Sequence, residues 1–200
     1  MTSVPAAPRS DPEATRSRLL RAAELCFKRY GVSRTTMEDI ALAAGVSRPT
    51  VYRHFGDRDS LVRSIVKARS ERIVDRFHSL LAAQPDLDSK LVEGLLFLAD
   101  IGRGDDLIYS LVQSESFDSA NRLLMSEEGE AQAFSVKAWM PVLEAGIAAG
   151  EVRADLDLAA ALRWLSWVNL TLIGSLDIDD LDRTYWHRLL RTFITPAFFA

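Results

Sequence analysis

Gly31, Gly45 and Gly56 each close a short stretch whose apolar residues recur at helical spacing, and this punctuation constrains the chain more than any other feature. Upstream of the first, Leu19, Ala23, Cys26, Phe27 and Tyr30 fall at i, i+4, i+7, i+8 and i+11, one stripe of a helix over about 12–30. Thr35 and Glu38 are spaced as a capping box, which starts a second helix with Ile40, Ala41 and Ala44 inward and Gly45 as its stop. Ser47 is placed to N-cap a third helix, about 48–55, whose first turn tolerates Pro49 because the missing N–H has no partner there. Asp57 then caps a long helix over about 58–82, carried by Leu61, Ile65, Val66, Ile73, Phe77 and Leu80.

No strand pattern competes in the remainder. Helices are expected at about 87–101, 106–114, 120–149, 158–173 and 181–199, separated by breaks at Gly102-Arg103-Gly104, 116–119, 150–157 and 174–180. Pro141 lies inside one of them and should kink it. With only 10 Gly and 7 Pro in 200 residues, the composition agrees with an all-α fold. The longest stretch without charge, Trp164 to Leu176, is 13 residues, short of the roughly 20 that a membrane-spanning helix needs. Residues 1–11 have no apolar core of a signal peptide and read as a disordered tail, so a cytoplasmic protein with no membrane partner is expected.

The chemistry-bearing residues exclude several classes. A single cysteine, Cys26, sits in an apolar stripe and excludes an internal disulfide framework and a Cys-based zinc site. His54, His78 and His187 are too widely spaced for a metal cluster, and no nucleophile–base pattern stands out. The expectation is therefore no catalytic residue, no metal, no cofactor and no enzyme.

Short helices joined by a tight Gly-containing turn, Ala44-Gly45-Val46-Ser47, have the layout of a helix-turn-helix DNA-binding unit. Its second helix carries Ser47, Arg48, Thr50, Tyr52, Arg53 and His54, with Val51 and Phe55 as inward anchors. Arginine can fork onto guanine O6 and N7, threonine can meet a thymine methyl, and hydroxyl and imidazole N–H groups can hold phosphates. A formal net charge of −4 argues against a nucleic-acid partner only in bulk. Residues 1–76 hold 15 Lys or Arg against 9 Asp or Glu, while residues 77–200 hold 9 against 19: a basic head on an acidic body.

The run Thr35-Thr36-Met37-Glu38-Asp39-Ile40-Ala41, followed by Gly45-Val46-Ser47-Arg48-Pro49-Thr50-Val51-Tyr52-Arg53-His54-Phe55 and by Asp57-Arg58-Asp59-Ser60-Leu61, resembles the N-terminal signature of the TetR family of transcriptional regulators. The resemblance covers about residues 15–62. The family's usual pattern has Lys where Arg58 stands and often Gly or Ala where Pro49 stands. What it implies is a helix-turn-helix head over 12–57 and a helical ligand-binding and dimerisation body over 58–200, with 58–82 as connecting helix. Arg48 and Thr50 would approach base edges, Thr35, Thr36, Tyr52, His54 and Arg58 would contact phosphates, and Arg53 would do either. The hydroxyls of Thr35 and Thr36 stand at a helix N-terminus, which favours an anion.

The partners implied are a double-stranded DNA operator, a second copy of the chain, and a small hydrophobic effector that releases a repressor from a palindromic site. Leu158, Leu162, Leu165 and Leu172 on one helix and Tyr185, Leu189 and Phe193 on another are the candidate dimer interface. Phe97, Tyr109, Met125, Phe134, Trp139, Trp164 and Trp167, with the polar groups of Gln113, Arg163 and Asn169, are the candidate ligand pocket. The rival functions are a helical protein-interaction regulator without a small-molecule ligand and a helical enzyme acting on an apolar substrate.

Overall fold

The computed structural model describes residues 11–113, 129–175 and 182–199. Its helices are α1 (Pro12–Tyr30), α2 (Met37–Ala44), α3 (Arg48–Phe55), α4 (Arg58–Ala82), α5 (Leu87–Gly104), α6 (Asp106–Val112), α7 (Glu130–Ala148), α8 (Leu158–Ser175) and α9 (Arg183–Phe193), followed by a 3-10 turn at Thr195–Ala197. The fold is all-α, and the extended pairing among the described residues is one isolated bridge, Val152 with Phe199. The chain divides into two compact units, Met1–Ile65 and Val66–Ala200, the division falling inside α4. No described helix is long and apolar enough to cross a membrane.

The first unit is built from local signals that act in turn. Asp11 accepts a bond from the Glu13 amide and Pro12 occupies the first turn, so α1 starts where its free N–H groups have a partner. The capping box of α2 is Thr36 with Asp39, one residue later than Thr35 with Glu38. Thr36 Oγ1 accepts from the Asp39 amide at 3.2 Å, and Asp39 Oδ2 accepts from the Thr36 amide at 2.9 Å. These bonds hold the Asp39 carboxyl below the usual carboxylate range. At the far end of α2 the chain must turn sharply. Gly45 does so in the left-handed region at φ 63°, with its own N–H on the Leu42 carbonyl and that of Val46 on Ala41, the Schellman pattern. Leu19, Ala23, Phe27, Ile40, Val51, Phe55, Leu61 and Ile65 form the buried interior.

In the second unit, α5 packs on α8, α6 and α9, and α8 also packs on α7. Asp86 caps α5 through the Ser89 amide at 2.8 Å, and Asp105 caps α6 while its carboxylate also meets Arg69 of α4. Gly102, Arg103 and Gly104 were expected to break the chain, yet α5 runs through them. The reason is packing: a Cβ on Gly102 would lie 2.4 Å from Ile173 Cδ1, so the glycine lets α8 approach closely. The last helix ends at Phe193, short of the expected 199, because Pro196 cannot continue it. The segment beyond instead folds back: Phe198 is 1% exposed and its carbonyl accepts from the Arg153 amide at 3.0 Å. α7 continues through Pro141, which is exposed. Basic α9 faces acidic positions of α5, with Arg183 on Asp100 at 2.7 Å and Arg191 on Asp88 at 2.9 Å.

Candidate DNA-binding interface

α3 has eight residues, and two of them, Val51 and Phe55, fix it by burial against the rest of the head. Arg16 of α1 reinforces that seat. Its guanidinium lies 4.6 Å from the Phe55 ring centroid and donates to the His54 carbonyl at 3.4 Å and to Ser64 Oγ at 3.0 Å. The opposite face of α3 is left in solvent: Ser47, Arg48, Tyr52 and Arg53 are exposed, while Thr50 and His54 are half-buried. Ser47 starts the helix with an extended backbone, but its hydroxyl bonds Thr50 Oγ1 at 2.9 Å instead of capping a backbone amide. Arg48 is held on two sides, by the Glu38 carboxylate at 2.6 Å and by the Tyr52 hydroxyl at 3.3 Å. Together these partners raise its pKa, the Tyr52 bond contributing most.

Such a face suits a duplex. A helix of this length enters the major groove, a guanidinium offers the planar fork that guanine accepts, and exposed hydroxyls suit phosphate oxygens. Thr36 is exposed at the N-terminus of α2. Two of the residues expected at phosphates face elsewhere. Thr35 is 2% exposed and its hydroxyl donates to the Gly31 carbonyl at 2.8 Å, so it buckles the α1–α2 link inward. Arg58 is half-buried and donates to the Val32 carbonyl, which ties the start of α4 to the same link. Sequence reasoning missed Arg16, Glu38 and Asp39 as organisers of this surface. For Asp39 the i+3 spacing from Thr36 was a usable signal; for Arg16 there was none.

In the second unit the predicted aromatic residues do not converge. Trp139 is 1% exposed and stacks edge-on against Phe77 with ring centroids 4.8 Å apart, so it is core. Trp164 and Trp167 are 50% and 37% exposed on the outer face of α8, with Arg163 also exposed. Phe97, Tyr109 and Phe134 are partly buried against the core, and Asn169 Nδ2 donates to the Leu95 carbonyl at 3.1 Å. Gln113 Nε2 donates to Tyr109 Oη at 3.1 Å, and Met125 lies outside the described residues. A cleft of about 170 Å3 opens between α4 and α7, with Val74, Ala133 and Phe134 as apolar lining and Lys67, Glu71 and Lys137 as charged lining. Of the predicted dimer residues, Leu162, Leu165 and Leu172 are buried in the chain's own core, which removes them from any outer face. Leu158, Tyr185 and Leu189 are half-buried, and Phe193 is 73% exposed.

The model of the tetR family of bacterial regulatory proteins matches residues 19–65, the span of the helix-turn-helix head. The transcriptional repressor KstR2 of Rhodococcus jostii is 29% identical over 206 residues, covering 98% of this chain and 99% of its own. A probable acrEF/envCD operon repressor of Escherichia coli is 33% identical over 152 residues, covering 72% of this chain and 67% of its own. The transcriptional regulator FadR of Bacillus subtilis, solved in complex with stearoyl-CoA, superposes on 90% of this chain and 98% of its own with a TM-score of 0.62 at 17% identity, a shared fold. These relatives are transcriptional regulators, not enzymes. A repressor matched over two thirds of its length, together with the family model's match to the helices that Val51 and Phe55 seat, makes the assignment: the chain belongs to the TetR family and is a DNA-binding transcriptional regulator.

Proposed function

We propose that this protein is a cytoplasmic, homodimeric repressor that reads a palindromic operator through α3 and leaves it when a small hydrophobic effector binds the helical body. Residues 12–57 are the reading head in this scheme, and residues 58–200 hold the effector and the partner copy. The observation that carries it is the solvent face of α3, where Arg48, Tyr52 and Arg53 stand exposed on a head whose charge is opposite to that of the body. Arg48 and Thr50 would read base edges; Thr36, Ser47, Tyr52 and His54 would hold the backbone, Arg53 would do either, and Thr35 and Arg58 would support the α1–α2 link.

A single reading helix binds weakly, and two of them about 34–36 Å apart read a palindrome. Trp164 and Trp167, three residues apart on the outer face of α8, support this pairing, since neighbouring large apolar side chains left exposed mark an interaction surface, and Phe193 of α9 is exposed as well. The cleft between α4 and α7 supports effector binding on α4 itself, the helix that leads out of the reading head. Binding there would lower operator affinity by a coupling free energy of about 1–3 kcal/mol.

The test is selection of bound fragments from the source genome, followed by titration at several salt concentrations. A defined palindrome should emerge, log K should fall linearly with log salt, and a dimer should be the bound species. Replacement of Arg48 by Ala should relax base preference and cost about 1–3 kcal/mol on the selected site. An R48A protein with full affinity and selectivity would refute the assignment of α3 as the reading helix.

A further inference from the structure

The guanidinium of Arg48 does not hang free in solvent. Its Nη1 meets Glu38 Oε1 at 2.6 Å, its Nη2 donates to Tyr52 Oη at 3.3 Å, and its Cζ lies 5.3 Å from the Tyr52 ring centroid. Tyr52 is one turn further along α3, but Glu38 comes from the first turn of α2. Two helices therefore fix one side chain from two directions, across the turn that separates them. Both acidic and basic partner remain about half exposed, at 49% and 59%, so the pair is not a buried structural bridge. An arginine guanidinium carries five N–H donors in one plane. With one N–H of Nη1 on Glu38 and one of Nη2 on Tyr52, others of the same groups stay available for the two acceptors of a guanine.

We propose that Glu38 is a positioning residue for Arg48: its carboxylate, with the Tyr52 hydroxyl, orients the guanidinium so that α3 presents a prealigned fork to a guanine edge. The proposal rests on α3 being the reading helix. Without Glu38, Tyr52 alone restrains Arg48, so the guanidinium samples more orientations: it still reaches phosphates on any sequence but is less well aligned with one base. A carboxylate beside a DNA-facing arginine otherwise only repels phosphate. The orienting role and the repulsive role predict opposite results on a cognate site, because orientation raises specific affinity and repulsion lowers all affinity alike.

The experiment uses the full-length protein, a duplex obtained by fragment selection, the same duplex carrying single base-pair changes, and an unrelated duplex of equal length. Arg48→Ala defines the base pair that Arg48 reads, by abolishing a discrimination of about five- to a hundredfold there. Glu38→Ala should lose about half of that discrimination on a logarithmic scale, roughly two- to tenfold, at the same base pair and at no other. Its affinity for the unrelated duplex should hold or rise, and helicity by circular dichroism should be unchanged. Glu38→Gln keeps an oxygen that can accept from Nη1 and should retain more discrimination than E38A.

Four results would overturn the proposal. If E38A tightens binding to every duplex equally, and does so as strongly in the Arg48→Ala background, Glu38 acts through phosphate repulsion alone. If E38A binds the selected site more tightly with discrimination intact, the pair is a lock that competes with DNA. If R48A loses discrimination and E38A does not, orientation by Glu38 is wrong while the reading helix stands; if R48A itself keeps discrimination, both readings fall together.

Discussion

Gly94 sits in the middle of α5, where a methyl group would land among three side chains of the second unit's core. Its Cβ would stand 2.5 Å from Trp139 Cη2, 3.0 Å from Phe77 Cε2 and 3.1 Å from Leu81 Cδ2. Trp139 has little freedom to yield, since it is 1% exposed and stacked edge-on against Phe77. Gly94→Ala thus sets two effects against each other. Alanine favours the helix by about 1 kcal/mol over glycine. Overpacking costs about 1–3 kcal/mol, and the upper end applies where the displaced group is a caged indole. The net is a loss of about 2 kcal/mol, a fall in the melting temperature of roughly 8 °C for a unit of this size. The same substitution at Gly104, the last residue of α5, meets nothing within 4 Å, so G104A should raise stability by about 0.5–1 kcal/mol. All four tryptophans, Trp139, Trp164, Trp167 and Trp186, belong to the Val66–Ala200 unit, so thermal unfolding followed by their fluorescence reports that unit alone. A G94A protein that melts at or above the parent, in step with G104A, would show that the close approach of Trp139 to α5 is not as described.

Other consequences are as direct. Arg58→Ala should destabilise the head by about 1–2 kcal/mol in a circular-dichroism melt, because a partly buried charged donor leaves the Val32 carbonyl, whereas a purely phosphate-contacting arginine would leave the melt unchanged. Acid should loosen the helix starts: Asp39, Asp57 and Asp86 have pKa values lowered mainly by hydrogen bonds from Thr36, Ser60 and Ser89. A lowered folded pKa means stability that is complete above the unfolded value near 3.9 and lost as pH falls below it. The Asp39→Asn protein should show a shallower loss of helicity between about pH 4 and 2 than the parent. Cys26 is buried and its thiol is pushed up by that burial, so it should react with a thiol reagent at the rate of head unfolding and not at the rate of a free thiol.

Much of the fold is legible in the sequence because the helix ends are written in side chains. Glycines at 31, 45 and 56 and aspartates at 57, 86 and 105 stand where helices stop or start in the structure. The capping box was ambiguous by one residue because two threonines are each followed three positions later by an acid. Packing decided it: Thr35 is pulled inward to the Gly31 carbonyl, which leaves Thr36 and Asp39 to cap. Gly102 and Gly104 look alike in sequence, but one lies against Ile173 and the other in open space, a difference set by a helix some seventy residues away. On α8, tryptophans and leucines follow the same helical period, and the sequence has no means of saying which face turns inward. The structure buries Leu162, Leu165 and Leu172 and leaves Trp164 and Trp167 outside. The pairing of Arg48 with Glu38 depends on the angle between two helices and was likewise not readable.

Phe198 packs into the same core as Phe77, Leu95 and Leu190. During synthesis that sets a schedule. The Met1–Ile65 unit can close as soon as its own residues have left the ribosome, but the second unit lacks a core side chain until residue 198 has emerged. At about 5–20 residues per second the interval is on the order of 7–27 s. For the last 23 residues of it, about 1–5 s, the apolar faces of α5, α7 and α8 are all made and wait without the segment that seals them, while a basic head already folded is free to meet DNA. The nascent chain is therefore most exposed to aggregation and to chaperone capture in its acidic half, where self-repulsion of like charge offers some protection.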